Sequence, residues 1–360
     1  MTGKDIAMRP AKIHFITGLR PDFGGMPFNI VHMLAILSAR ITYPDHEIFV
    51  YYEHEPSGIW WDYARRFVTE VPTVAPTAVF GCPVRHFAHA ADVLRLQLLI
   101  EHGGIYFDTD TMVCRPIADL PTDVVVMGLD AGSEHSAVGL SNAFIAAPPG
   151  APFLRRWFDG YRDFDARDYV GHSVKLPHAL AMAGEPGVRI MSRLAFCYPH
   201  NDARSLHNLF ARSVDVRSSY SIHLWESVSW HYIAAITPEA IARADTTYNL
   251  LARAVLTHFP DSPASPKLWP VRIALDRASL PHAAIDRPAF WYVAFHDNDG
   301  AEVARLDADA GELARLAAMP GGELVIERAV PALQPPRSWT VWPTDRARRW
   351  LDPLRGQFAR

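Results

Sequence analysis

Residues 89–110 read HAADVLRLQLLIEHGGIYFDTD, a long apolar pattern, a glycine pair, a short apolar run and two aspartates two positions apart. Val93, Leu94, Leu96, Leu98, Leu99 and Ile100 fill most of the first part. The pattern predicts a helix over 89–102 that is buried on most of its surface. Gly103 and Gly104 end it, as glycine does where a helix must stop. Ile105–Phe107 then predicts a strand of three residues that finishes at Asp108.

Upstream, the chain alternates strand and helix signals. Ile13–Thr17 (IHFIT) predicts a buried strand, GLRPDFGG a turn-rich loop, and Pro27–Arg40 a helix. Glu47–Tyr52 predicts a second strand, Ile59–Val68 a helix, and Thr73–Phe80 a weaker third strand. Downstream, Asp123–Met127 and Asn142–Ala147 predict further strands and Pro152–Tyr161 a helix. Residues 165–220 are mixed and irregular, and Ser221–Trp225 (SIHLW) is a short apolar segment carrying a histidine. Strands separated by helical crossovers predict an α/β fold with a mainly parallel sheet. In such sheets ligands bind beyond the carboxyl ends of the strands. Asp108, Asp110, Thr17 and Gly18 all fall at such ends.

Residues 1–260 read as the main domain and 261–284 as a proline-rich linker, on the composition of FPDSPASPKLWP. Residues 285–356 read as a small β-rich accessory module. In it Phe290–Phe295, the turn Asp297-Asn298-Asp299-Gly300 and Glu302–Leu306 give a strand-turn-strand signal. Glu312–Ala318 predicts a short helix and Glu323–Arg328 a strand, and SWTVWP completes the module.

With 35 basic and 39 acidic residues the net charge is −4, so no basic excess points to nucleic acid. Cys82, Cys114 and Cys197 show no metal or disulfide spacing, which fits a reducing compartment. The first residues lack a signal-peptide core, and Ile30–Ile41, interrupted by His32 and Arg40, is too short for a membrane span. The expectation is a cytoplasmic protein without a transmembrane segment, for which peripheral membrane contact stays open.

Two carboxylates at i and i+2 past a strand offer hard oxygen ligands suited to Mg²⁺ or Mn²⁺. A solvated turn is the plainer alternative for the same letters. On the helix before them, Asp92 and Arg95 stand three apart and share a face. Buried, such a pair needs partners: either each other, or a hydroxyl-rich ligand to which Asp accepts and Arg donates. Asn142 is equally a turn amide or a sugar contact. His223, alternating with Ile222 and Leu224, faces away from those apolar neighbours. Trp60, Trp61 and Trp230 read as core. GLRPDFGG lacks phosphate-loop spacing and reads as a flexible loop near the cleft.

The run from His89 to Asp110 resembles the glycosyltransferases with a DXD-containing sugar-binding region, family 32, which include Och1-like mannosyltransferases. Their pattern is Asp-x-x-Arg, Gly-Gly-x-Tyr, Asp-x-Asp, matched here by Asp92, Arg95, Gly103, Gly104, Tyr106, Asp108 and Asp110. SNAFIAAPPGAPFL (141–154), SIHLWESVSW (221–230) and KIHFITG are similar to further stretches of that family, so the resemblance spans about residues 12–232. It implies a GT-A fold and metal-dependent, anomer-retaining transfer of a sugar from a UDP- or GDP-sugar to a saccharide, lipid-linked or other hydroxyl acceptor. It further implies that Asp110 ligates Mn²⁺ or Mg²⁺, and that Asp108 contacts both metal and donor. Asp92 and Arg95 would hold sugar hydroxyls, His223 would approach the metal or diphosphate, Trp225 would pack by the phosphates and Thr17 would lie near the nucleotide. A haloacid-dehalogenase-like phosphatase is a rival, weakened by Met112 at its Thr/Val position and by the three β/α units before the motif. A glycan- or nucleotide-sugar-binding relative without catalysis is a second rival, against which both aspartates and the Asp-x-x-Arg pair are intact.

Overall fold

The computed structural model describes residues 12–133, 136–265, 291–296 and 302–308. They divide between two compact units, Met1–Thr237 with Asp245–His258, and Pro238–Ala244 with Phe259–Arg360.

The first unit opens with β1 (Lys12–Ile16), α1 (Ile30–Thr42), β2 (Glu47–Tyr52), α2 (Ile59–Ala64) and β3 (Thr69–Pro72). β1 is buried along most of its length and pairs in parallel with β2, which pairs in parallel with β3. A strand covered on both faces needs the near-continuous apolar run that KIHFI supplies. α1 begins at Ile30, three residues later than the sequence predicts, because Asn29 caps it. The Asn29 side chain accepts from Val31 N–H at 2.8 Å, and His32 Nδ1 accepts from Asn29 N–H at 3.1 Å. The third strand lies at Thr69–Pro72, not at Thr73–Phe80. Pro72 and Pro76 have no N–H for a ladder, so the chain leaves the sheet at its edge. Ala78–Val79 (β4) instead pairs with Cys82–Pro83 (β5).

α3 (Phe87–His102) leads into β6 (Gly104–Phe107) and β7 (Thr111–Val113). β6 inserts beside β1 in parallel. The glycine pair makes this turn possible. Gly103 has φ +63° and Gly104 φ +100°, and a Cβ on Gly104 would lie 2.5 Å from the Lys12 carbonyl oxygen.

β8 (Val125–Ser133) and β9 (Ser136–Ala147) are longer than the sequence predicts and pair antiparallel. Their outer part is poor in strand-forming residues (Gly128, Asp130, Gly132, Gly139), so periodicity does not reveal it. Asn142 therefore lies inside a strand. β9 also pairs antiparallel with β6. After α4 (Pro152–Asp159) and α5 (Leu176–Met182), β10 (Val188–Met191) joins β8 in parallel. The seven-stranded order is β10-β8-β9-β6-β1-β2-β3. This is a mixed α/β sheet in which parallel pairing dominates.

α6 (Arg193–Phe196) and α7 (Ala203–Phe210) follow, then β11 (Ser221–His223), which pairs antiparallel with β7, and α8 (Glu226–Ile233). α10 (Thr247–Leu256) belongs to the same unit, whereas α9 (Pro238–Arg243) belongs to the second. In that second unit β12 (Trp291–His296) and β13 (Glu302–Ala308) pair antiparallel, the strand pair expected from the sequence. The linker past residue 265, the turn at 297–300, the helix at 312–318, the strand at 323–328 and SWTVWP lie outside the described residues.

Candidate active site

β6 carries the first aspartate to the carboxyl edge of the sheet. Asp108 N–H donates to Ala143 O on β9 at 2.9 Å, and Thr111 N–H donates to Asp108 O at 3.1 Å. The chain thus turns tightly through Asp-Thr-Asp and returns as β7. The β7–β11 register sets Thr111 opposite His223, across more than 100 residues of chain.

Each aspartate has one oxygen anchored and the other left toward His223. Asp108 Oδ1 accepts from the Tyr106 hydroxyl at 2.6 Å and lies 3.2 Å from Arg95 Nη1, while Oδ2 lies 4.0 Å from His223 Nε2. Asp110 Oδ2 accepts from Glu226 N–H at 2.8 Å, which caps α8, while Oδ1 lies 3.2 Å from His223 Nε2. One ligand atom from each of Asp108, Asp110 and His223 falls within 4.8 Å of the others. Two carboxylate oxygens and an imidazole nitrogen, converging and already oriented by outer hydrogen bonds, fit a hard divalent ion such as Mn²⁺ or Mg²⁺.

Electrostatics reinforce the grouping. Burial would raise the Asp110 carboxyl, but the His223 imidazole and the Glu226 N–H outweigh it and hold the group lower than usual. Burial would lower His223, and the Asp110 and Asp108 carboxylates outweigh that in turn. The His223 Nδ1 is buried without a hydrogen-bond partner.

Arg95 sits at the centre of the adjoining cluster and is only 5% exposed. Its Nη1 donates to Asn142 O at 2.7 Å, its Nη2 lies 3.2 Å from Asp92 Oδ1, and its Nε donates to Ala91 O at 3.2 Å. The guanidinium lies over the Tyr106 ring, 4.6 Å from its centre. Asp92 Oδ1 also accepts from Asn142 Nδ2 at 2.7 Å. Burial raises Asp92, and Arg95 opposes the rise. The Asp-Arg pair of the sequence is therefore an ion pair, but one shared with Asp108 and Asn142.

Trp225 adopts a left-handed backbone (φ 58°), its ring 4.2 Å from that of His223 and its Nε1 donating to Pro199 O at 3.0 Å. Thr17 lies at the carboxyl end of β1, giving its N–H to Tyr51 O at 2.9 Å. Among the described residues no hydrogen bond or ion pair joins it to the carboxylates. Of the tryptophans read as core, Trp61 is fully buried and Trp60 and Trp230 are half-buried.

Sequence reasoning missed three contributors. The Tyr106 hydroxyl anchors Asp108, although the Gly-Gly-x-Tyr pattern contains it. His32, 3% exposed on α1, places Nε2 2.9 Å from Glu226 Oε1, next to the cap of α8. An ionisable residue inside an apolar helix was the available signal. Asp130 on β8 is the third: burial raises its carboxyl, and His223 and His200 oppose the rise.

The carboxylate pair at the edge of an α/β sheet, the opposing histidine and the buried Asp-x-x-Arg lie in or beside the stretch by which the chain matches a known class of enzyme. The family model described as "Glycosyltransferase sugar-binding region containing DXD motif" matches residues 32–126. The chain belongs to this family. It is 34% identical over 257 residues to Glucan organizing enzyme 1 of Cryptococcus neoformans var. grubii serotype A (strain H99), covering 68% of this chain and 70% of that one. Among solved structures, PaToxG glycosyltransferase aligns at 15% identity and TM-score 0.35, over 69% of this chain and 86% of that one. The glycosyltransferase GlyE of Streptococcus pneumoniae TIGR4 aligns at 9% identity and TM-score 0.37, over 74% and 68%. Family membership removes the phosphatase rival, and the parallel-dominated sheet with helices beside it agrees with the expected α/β fold.

Proposed function

We propose that this glycosyltransferase moves a sugar from a UDP- or GDP-sugar to a saccharide or lipid-linked hydroxyl acceptor, with a divalent metal and with retention of anomeric configuration. The convergence of Asp108 Oδ2, Asp110 Oδ1 and His223 Nε2 carries the reading. Those three residues would hold Mn²⁺ or Mg²⁺, whose contribution when bound is to offset the charge that grows on a departing nucleoside diphosphate.

The chain's own residues do the rest. Asp92 accepts hydrogen bonds from donor-sugar hydroxyls. Arg95, its N–H groups already given to protein oxygens, fixes Asp92 and Asp108 in place rather than gripping the sugar alone. Tyr106 holds Asp108 Oδ1, so the other oxygen keeps its direction. Trp225 covers His223 and shields the phosphate end from water. The acceptor oxygen bonds to the anomeric carbon on the face the phosphate leaves, and its proton passes to the departing phosphate oxygen. Asn142 positions Asp92 through its side chain and Arg95 through its carbonyl. Thr17, at the next strand end, is assigned to the nucleotide side. The sparse spacing of Cys82, Cys114 and Cys197 in the sequence is the ground for proposing a reducing, cytoplasmic setting. No helix among the described residues is long and apolar enough to cross a membrane.

A thermal-shift panel of UDP, GDP and their sugars with Mn²⁺ tests the donor assignment, since a ligand of the folded state raises its apparent stability. One nucleotide sugar should raise the midpoint only with metal present, and the transferred sugar should appear by NMR with its donor anomeric configuration. Absence of any metal-dependent shift contradicts the reading. Binding without transfer to any acceptor would favour a non-catalytic relative.

A further inference from the structure

Upstream of Asp92, α3 presents a face that the donor reading leaves unused. His89 is 4% exposed, and neither of its ring nitrogens has a hydrogen-bond partner. Tyr161 is fully buried, and its hydroxyl is likewise without one. Buried polar atoms left unmatched are costly, and where they cluster they mark a place for a polar ligand. Tyr161 stacks on Phe164 with ring centres 5.8 Å apart, one ring away from His89.

An aromatic wall surrounds these atoms. Phe164 meets His89 edge-on with ring centres 5.1 Å apart. Tyr169 sits 5.5 Å from the rings of both His89 and His86, yet it is 54% exposed. A large half-exposed ring supported from behind by two histidines offers an open aromatic face.

The order along α3 separates this place from the donor site. Arg95 reaches Asp108, Asp92 stands one turn earlier and His89 one turn earlier again, about 9 Å from Arg95 along the axis. With the donor sugar at Asp92, as proposed above, His89 stands one helical turn beyond it, on the side away from Arg95. Pyranose rings combine an apolar C–H face with hydroxyls around the edge, which suits an aromatic platform beside unmatched polar atoms.

We propose that His89, Tyr161 and Tyr169 form the subsite for an acceptor saccharide, with its ring on Tyr169 and its hydroxyls on His89 and Tyr161. The proposal deepens the transferase reading above and rests on it. Saturation-transfer NMR on the full chain tests it with methyl β-glucoside, methyl α-mannoside and methyl β-galactoside, without nucleotide or metal. At least one glycoside should bind the wild-type protein, with the strongest transfer to the C–H protons of one ring face. Binding should weaken at least about fivefold in Tyr169→Ala, and similarly in His89→Phe, which keeps the ring but removes both nitrogens. Tyr169 is half-exposed, so its variant tests the surface without emptying the core. No binding by the wild type, or unchanged binding in both variants, overturns the proposal. Since neither donor nor metal is present, that result leaves the donor assignment standing, and failure of the donor panel leaves this binding result readable.

Discussion

At the scale of single residues, Arg95 is the centre of the polar interior. It neutralises Asp92 and Asp108, each at 3.2 Å, in a place nearly closed to water. Removing it leaves two carboxylates without their shared cation, so Arg95→Ala should lower stability by about 3–5 kcal/mol in urea unfolding. A loss below about 1 kcal/mol would show that the pairs do not hold the carboxylates. His14 makes a different prediction. It is buried, with Nε2 2.9 Å from Gly103 O and Nδ1 3.1 Å from the Tyr51 hydroxyl, and burial lowers its pKa from 6.5 to about 4. The unfolded chain therefore binds a proton between those values that the folded chain refuses. Stability from this group falls as pH drops below about 6.5, by about 2 kcal/mol at about pH 5, and the loss levels off below about pH 4. His14→Gln should flatten the pH profile of the urea midpoint by that amount relative to wild type. Equal profiles would contradict the assignment.

At the scale of elements, the α3–β6 turn decides where Asp108 points. Gly104 has φ +100°, and an added Cβ would meet the Lys12 carbonyl oxygen at 2.5 Å. Gly104→Ala should cost about 1–3 kcal/mol for the backbone conformation alone, and the clash with β1 adds to it. Thermal unfolding reads the loss, and an unchanged midpoint would show that the β1–β6 approach is looser than the structure has it. This turn was legible in the sequence because its parts are contiguous: apolar helix, glycine stop, short strand, aspartates. The helix starts and strand ends were less legible where side chains act at short range. Asn29 moves the start of α1, and Pro72 and Pro76 end the third strand early. The long β8–β9 pair escaped notice because it is held by pairing across the hairpin, which residue types with weak strand preference do not announce. In the site, Asp92, Arg95, Asp108 and Asp110 share one short stretch and could be read together. His223 was reached through its alternation and the resemblance. The Glu226 N–H on Asp110 depends on a contact 116 residues apart, and no local pattern encodes it.

At the scale of the whole molecule, the first unit builds a parallel-dominated sheet at whose edge residues from α3, β6, β9, β11 and α8 gather. The sheet supplies Asp108 and Asn142, the buried helix supplies Asp92 and Arg95, and the β7–β11 pair closes His223 over the two aspartates. Family membership makes the chain a glycosyltransferase, and the convergence of Asp108, Asp110 and His223 is the physical ground for its proposed metal dependence. Asp110→Asn is the cleanest probe of that ground. It keeps an oxygen to cap α8 but removes the charge that faces His223. The measurement is turnover of the nucleotide sugar identified by the binding panel, as a function of Mn²⁺, in wild type and Asp110→Asn. The account predicts metal-dependent turnover in wild type and a loss of at least about 100-fold in the variant, with its unfolding midpoint little changed. Near-normal, metal-dependent turnover by Asp110→Asn would contradict it.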